Sequence, residues 1–206
     1  MPWIIPEVQR VFLHVPKTGG NWVIKTVRDL GMKIEEAYGS EKYKDAEHVC
    51  PSYPRFTVLR NPLTWYPSYW ANCNIFGCRG LGFLSISEDC QRNLHDFTLF
   101  MQSVLDNHPG FLTGLFSEYA ASDVDVLFTE SLAEDLFRIL NPIVKDKASL
   151  EEIEPVNRCA SLPEYKLRVY YSSDMHQRIL ESESELFDKY GFDRSNPLLY
   201  REGYSE

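Results

Sequence analysis

Short apolar runs alternate along this chain with segments whose apolar positions repeat every three or four residues. Three of the runs predict buried strands: Val11 to Leu13, Phe56 to Leu59, and Asp125 to Phe128. Helical spacing follows each of them, so the pattern predicts strands that alternate with helices. Such alternation is typical of an α/β fold with an open, mostly parallel sheet that helices cover on both faces.

The predicted helices run from Asn21 to Leu30, from Pro62 to about Asn72, around Leu94 to Val104, from about Leu132 to Leu140, and from Ser173 to Tyr190. Pro62 suits a first helical turn, because that turn has no use for the N–H that proline lacks. We expect Ser173 to cap the last helix and Gly191 to end it. Asn74 to Ser85, with three glycines, is expected to be a loop.

The composition is that of an ordinary globular domain: 206 residues, of which 44% are hydrophobic and 25% charged. The formal net charge of -9 argues against binding to nucleic acid or to an anionic membrane. A few cations in one cleft can still hold an anion on such a protein. The start of the chain lacks a signal-peptide pattern, and no stretch approaches the roughly 18 apolar residues of a membrane span. We therefore expect a cytoplasmic protein.

The cysteines are odd in number: Cys50, Cys73, Cys78, Cys90 and Cys159. We expect reduced, structural thiols, with a Cys73–Cys78 or a Cys78–Cys90 bridge as the open alternative. A zinc site usually shows paired Cys-x2-Cys units or a nearby histidine pair, and the sequence has neither. No metal is expected.

The first segment with chemical potential follows the first predicted strand and reads His-Val-Pro-Lys-Thr-Gly-Gly-Asn-Trp over residues 14–22. Glycines let backbone N–H groups approach an anion, and the following helix presents its positive end. Lys17 adds a mobile charge and Thr18 a hydroxyl, while His14 is expected to orient the loop. Lysine and threonine precede the glycine pair here, whereas they follow it in a Walker A loop. The segment predicts an anion-binding loop, with an ordinary glycine turn as the alternative.

The second segment, Phe56 to Trp70, carries an arginine where a predicted strand ends and a serine about two helical turns later. A guanidinium fork on Arg60 and the Ser68 hydroxyl could converge on one phosphate. A surface ion pair and a helix serine bonded to backbone are the alternative. The aromatic residues between them, Trp65, Tyr66, Tyr69 and Trp70, are expected to be mostly core.

Together the two segments resemble the sulfotransferase family, in particular the carbohydrate sulfotransferases of the heparan 2-O-sulfotransferase type. There a His-[Ile/Val]-Pro-Lys-Thr-Gly-Gly-like loop binds the 5′-phosphosulfate of PAPS (3′-phosphoadenosine-5′-phosphosulfate). A Leu-Arg-[Asp/Asn]-Pro segment and a serine bind its 3′-phosphate. The matching residues here are Pro16, Lys17, Thr18, Gly19, Gly20, Asn21, Trp22, Arg60 and Ser68. A weaker match over residues 156–158, 165–166 and 170–171 extends the resemblance from residue 11 to about 192.

The resemblance implies a single sulfotransferase-like domain over 1–206, with a C-terminal tail at 193–206. It implies a three-layer sandwich of the P-loop nucleotide-hydrolase type, with a mostly parallel sheet flanked by helices. It also implies transfer of a sulfuryl group from PAPS to a hydroxyl acceptor, a carbohydrate among the candidates, leaving PAP and needing no metal.

Two residue roles follow from the same resemblance. Lys17 would stabilise the charge that builds on the departing 5′-phosphate. His48 resembles the family's catalytic histidine by position, and a neutral imidazole can accept a hydroxyl proton. Glu35 and Glu36 stay open as alternative bases.

Two other functions stay open as well. The first is a P-loop kinase or NTPase, in which Val124 to Val126 would have to form a metal-binding strand through Asp125. The second is a non-catalytic nucleotide or glycan binder that keeps the fold. One departure from the family pattern is Trp65, which stands where the family often has a second basic residue.

Overall fold

The computed structural model describes residues 2–37, 50–76, 88–146, 150, 153 and 169–195. The chain forms two compact units, each built from two segments. The first unit comprises Met1–Arg60 and Gly114–Asn157, and the second comprises Asn61–Thr113 and Arg158–Glu206. Among the residues that the structure describes, no helix has the length and apolar character needed to cross a membrane.

The first unit contains a five-stranded sheet. Its strands are β1 Pro2–Ile5, β2 Arg10–Leu13, β3 Glu35–Glu36, β4 Arg55–Leu59 and β5 Val124–Phe128, in the order β3-β1-β2-β4-β5. The strands β2, β4 and β5 are parallel neighbours, whereas β1 is antiparallel to both β2 and β3. The α/β class and the three predicted strands are confirmed.

The sheet is mixed, so the prediction of a mostly parallel sheet is only half right. The cause is the connection between β1 and β2, which is a single 3-10 turn over Pro6–Val8 followed by Gln9 in the left-handed region. A connection this short can join only antiparallel strands, because a parallel pair needs a crossover of a dozen or more residues.

Eight helices are described: α1 Gly20–Asp29, α2 Pro62–Phe76, α3 Glu88–Arg92, α4 Phe97–Asn107, α5 Phe111–Ser117, α6 Leu132–Leu140, α7 Ser173–Ser182 and α8 Ser184–Tyr190. In the first unit, α1 and α6 bury apolar side chains in one cluster with the sheet residues Phe12, Phe56 and Leu127. Because these three side chains project from β2, β4 and β5, the cluster fixes α1 and α6 on the parallel part of the sheet.

The helices predicted at Asn21, Pro62 and Leu132 are confirmed, with small shifts at their ends. The last helix is not continuous, because it breaks at Glu183 into α7 and α8. Its N-cap is Ser172, whose hydroxyl accepts from the N–H of Met175 at 3.1 Å, so the predicted cap at Ser173 is one residue late. Gly191 ends α8 with a φ of 65°, as predicted.

The predicted loop over 74–85 is wrong at its start, because α2 continues to Phe76, and residues 77–87 lie outside the described ranges. The short helices α3 and α5 were not predicted.

Glu183, at the break between α7 and α8, is fully buried in the second unit. Its carboxylate accepts from the Tyr66 hydroxyl at 2.5 Å and from the Thr113 hydroxyl at 2.7 Å. It also accepts from the backbone N–H groups of Leu112 and Thr113, in the first turn of α5, whose dipole favours the negative charge. Burial and the neighbouring Glu183 raise the pKa of Tyr66 well above its usual range, so Tyr66 remains a donor.

The aromatic residues of α2 are core, as predicted: Trp65, Tyr66, Tyr69 and Trp70 are all buried. The rings of Trp65 and Tyr69 stack at 4.7 Å between centroids, and Trp65 meets Tyr66 edge to face. The residue that departs from the family pattern, Trp65, thus packs in the core of the second unit.

Pro67 lies inside α2 and removes one backbone hydrogen bond from it. Proline has no N–H, so residue 67 cannot donate to the carbonyl of Leu63 one turn earlier. The hydroxyl of Tyr171 donates to that carbonyl at 3.0 Å, and Tyr171 is buried. A residue more than a hundred positions away thus satisfies the carbonyl that proline leaves open.

We expect Tyr171→Phe to lower the free energy of unfolding by about 1–2 kcal/mol, because it removes the donor to the Leu63 carbonyl. Pro67→Ala restores an N–H one turn after Leu63, so the double variant should regain much of that loss in urea denaturation. If Tyr171→Phe cost the same in both backgrounds, the Tyr171 hydroxyl would not be compensating for the proline.

Candidate anion-binding site

The candidate site begins in the loop that joins β2 to α1, over residues 14–19. Two of its residues have backbone angles in the left-handed region: Lys17 has a φ of 67° and Gly19 a φ of 94°. A side chain such as that of lysine pays roughly 1–2 kcal/mol for this conformation. Strained backbone of this kind concentrates at functional sites, where the surrounding structure holds it in place.

The two glycines of the loop are required by close neighbours. A Cβ atom on Gly20 would lie 2.1 Å from Cδ2 of His14, and one on Gly19 would lie 2.8 Å from Cδ2 of Leu132. The loop therefore passes directly between the His14 ring and α6, and only glycine leaves enough space. The sequence indicated glycines for an anion loop, but it did not indicate this packing.

The ring of His14 packs against the loop beside Gly20. Its ring stacks on Phe12 with 5.7 Å between centroids, and Phe12 stacks in turn on Phe56 of the neighbouring strand. Burial lowers the pKa of His14 to about 4, and the positive charge of Lys17 acts in the same direction. His14 is therefore a neutral packing residue at pH 7, which fits the predicted role in orienting the loop.

Three backbone carbonyls of the loop are held by donors. The Thr18 hydroxyl donates to the Val15 carbonyl at 2.9 Å. Nη1 of Arg60 donates to the Lys17 carbonyl at 3.1 Å, and the Thr129 hydroxyl donates to the Thr18 carbonyl at 2.7 Å. The carbonyl oxygens of Val15, Lys17 and Thr18 are thus occupied by side-chain donors.

The N–H groups of the same peptides point the other way. The loop peptides are trans, so each N–H is opposite the preceding carbonyl, and those of Thr18 and Gly19 face away from the donors just described. The Gly19 carbonyl accepts from the N–H of Trp22, the first such bond of α1. Helix geometry therefore leaves the N–H groups of Gly20 and Asn21 directed beyond the N-terminus. Consecutive backbone N–H groups can form a nest for an anion, and the N–H groups of residues 18–21 are the candidate for such a nest.

Three neighbouring strands contribute to this site at their carboxyl ends. The loop follows β2, Arg60 follows β4 directly, and Thr129 follows β5 directly. Hydrogen bonds link the three ends, because Arg60 contacts the Lys17 carbonyl and Thr129 contacts both the Thr18 and Leu59 carbonyls. Ligands of open α/β sheets bind at this edge.

The structure places the predicted loop residues in two groups. Lys17 and Gly19 are partly exposed and Asn21 is exposed, so a ligand can approach them. Gly20 is buried, and so are the side chains of Pro16, Thr18 and Trp22. Trp22 is part of the core and its Nε1 donates to the Ile153 carbonyl at 3.0 Å, so its side chain holds α1 in place.

The remaining predicted residues lie elsewhere. Ser68 belongs to the second unit, where it is buried on α2. His48 lies outside the described residues, and so does most of the weaker third match, apart from Tyr170 and Tyr171. Their parts in a nucleotide site stay predictions.

The alternative bases lie on the outermost strand of the sheet. Glu35 and Glu36 form β3 and are exposed, and Glu35 pairs with Lys33. Because β1 lies between β3 and β2, about 10 Å separates these residues from the strand that carries the loop. Glu35 and Glu36 stay alternative bases, on a strand that is not adjacent to β2.

One residue of the site was missed by sequence reasoning, and this is Thr129. The segment after the third predicted strand shows no glycine, no basic residue and no known motif, so nothing marks it as part of an anion site. Its contact is with backbone carbonyls, which any neighbouring hydroxyl can serve.

Comparisons of this chain with protein-family models, with curated proteins and with solved structures give no match.

Proposed function

We propose that this chain is a sulfotransferase that binds PAPS at the loop of residues 16–20 and transfers its sulfuryl group to a hydroxyl acceptor. One observation carries the proposal: Arg60 donates to the Lys17 carbonyl, so the two motif segments meet although 43 positions separate them. The resemblance to the carbohydrate sulfotransferases rests on these same two segments. Their meeting supports a common ligand for them.

The geometry of the loop fits the phosphosulfate end of the donor. Sulfuryl transfer needs in-line positioning and neutralisation of the charge that develops on the leaving phosphate. The acceptor oxygen forms a bond to sulfur, and the bond between sulfur and the bridging oxygen of the 5′-phosphate breaks. The nest of N–H groups and the Lys17 ammonium would hold that phosphate as it takes up the electron pair. PAP leaves with it.

The acceptor proton must pass to a base as the new bond forms. His48 remains the base that the resemblance favours, and Glu35 or Glu36 the alternatives. Ser68 is proposed to assist Arg60 at the 3′-phosphate, on the resemblance alone. The finer fold assignment, a P-loop nucleotide-hydrolase-like sandwich, is likewise part of the proposal, and the strand–loop–helix succession of β2 and α1 supports it.

The position of Asp125 argues against the kinase or NTPase alternative. Asp125 is the second residue of β5, and its carboxylate pairs with Nη1 of Arg10 at 2.8 Å. Three residues separate it from the carboxyl end of β5, which is roughly 10 Å along the strand. A carboxylate that binds the metal ion of a nucleoside triphosphate would have to lie at that end of β5, beside the loop.

The test is protection against thermal unfolding, combined with turnover. The proposal expects PAP to raise the melting temperature and ATP with Mg²⁺ to leave it unchanged, and it expects labelled sulfate to pass from PAPS to a carbohydrate or other hydroxyl acceptor. Protection by ATP with Mg²⁺ alone would favour the kinase. Protection by PAP without transfer to any acceptor of a broad panel would favour the non-catalytic binder.

A further inference from the structure

Thr129 forms a bridge between two backbone segments. Its Oγ1 lies 2.7 Å from the Thr18 carbonyl oxygen and 3.0 Å from the Leu59 carbonyl oxygen. One hydroxyl has a single proton, so the two carbonyls share it. Thr129 thus connects the anion loop after β2 to the last residue of β4, which immediately precedes Arg60.

The turn that carries Thr129 is itself fixed. The buried carboxylate of Asp135 accepts from the Phe128 N–H at 2.9 Å and from the Ser131 hydroxyl at 2.8 Å. These two donors flank Thr129 in the sequence. Asp135 also pairs with Arg138 on the next turn of α6. The Thr129 hydroxyl is therefore presented from a rigid support.

The bridge determines the direction of one N–H group of the nest. The carbonyl of Thr18 and the N–H of Gly19 belong to the same peptide plane, so holding the first orients the second in the opposite direction. The Gly19 backbone is in the left-handed region and has no side chain that could restrict it. Without the hydroxyl of Thr129, this peptide would be held much less firmly.

We propose that Thr129 is a positioning residue for the phosphosulfate end of the donor: it aims the Gly19 N–H at the 5′-phosphate and keeps the loop in register with Arg60. The inference rests on the proposed function, because it assigns the ligand of the nest to PAPS. In this proposal Thr129 makes no contact with the ligand and acts through the Thr18 and Leu59 carbonyls.

The test compares Thr129→Val with Thr129→Ser. Valine keeps the branched shape and removes the hydroxyl, so PAP affinity measured by calorimetry should fall roughly tenfold, and kcat should fall by a similar factor. Serine keeps the hydroxyl, so both quantities should stay within about threefold of wild type. If Thr129→Val does not fold, Thr129→Cys serves instead, since a thiol is only a weak donor.

The outcomes separate the two proposals. A lower melting temperature with unchanged PAP affinity and kcat in Thr129→Val would reduce Thr129 to a structural residue and overturn this inference alone. Equal losses in the serine and valine variants would overturn it too, because the hydroxyl would then not matter. Failure of the wild-type protein to bind PAP would contradict the proposed function itself.

Discussion

Lys17→Gly should lower the rate of sulfuryl transfer by about two to three orders of magnitude while leaving the protein at least as stable as wild type. The rate falls because the variant removes the charge that would stabilise the leaving phosphate. Stability is kept because Lys17 has a φ of 67°, a conformation that glycine adopts without strain. Relief of that strain should raise the free energy of unfolding by up to about 1 kcal/mol. The measurements are kcat with PAPS and urea denaturation.

Two further variants separate charge from backbone. Lys17→Ala removes the charge and keeps the strain, so it should lose the same activity and gain no stability. Lys25→Ala is the matched control, because Lys25 is an exposed lysine of α1 that pairs with Asp29. It should change neither quantity by much. Full turnover in Lys17→Gly would remove Lys17 from the chemistry.

Gly20→Ala adds one methyl group and should disturb the loop strongly, with a loss of both stability and PAP binding. The added Cβ would lie 2.1 Å from Cδ2 of His14 and 2.5 Å from its Nε2, far inside van der Waals contact. Either the ring or the first turn of α1 must move. We expect a loss of about 1–3 kcal/mol in unfolding free energy and a marked loss of PAP binding, because the Gly20 N–H belongs to the nest.

The control is Gly114→Ala in α5, where an added Cβ would meet, among the residues that the structure describes, no atom within 4 Å outside the helix's own backbone. That change should stabilise the protein slightly, since alanine favours a helix by about 0.5–1 kcal/mol over glycine. Combining Gly20→Ala with His14→Ala should cost less than the two changes separately, because the second removes the ring that the first strikes. Strictly additive losses would mean that His14 does not fill this space.

The parallel part of the sheet could be predicted because its strands are short, mostly apolar runs. Each of the three runs is followed directly by a residue of the site: His14, Arg60 and Thr129. The strand β1 escaped prediction because Pro2 begins it, Pro6 follows it, and proline normally signals an edge or a break. The two-residue strand β3 carries only glutamates, so no hydrophobic pattern marks it.

The part of the site that could be predicted is the part in which charged side chains stand in recognisable sequence segments. Lys17 and Arg60 stand in sequence segments whose residue order is informative, and the structure brings the two segments together. The contacts that shape the loop could not be predicted, because they join side chains to backbone carbonyls across long sequence separations. Thr129 acts in this way, through a hydroxyl that serine or another threonine could have supplied. Tyr171 on the Leu63 carbonyl is the same case in the second unit.

The measurement that tests the central claim most directly is a calorimetric titration of the folded protein with PAP, repeated with Arg60→Ala. The account predicts that one PAP binds per chain and that Arg60→Ala weakens it at least tenfold, since the guanidinium both holds the loop and offers a charged donor to a phosphate. No heat of binding from the wild-type protein, or equal affinity in the variant, would contradict the claim that the loop after β2 and Arg60 after β4 form one nucleotide site.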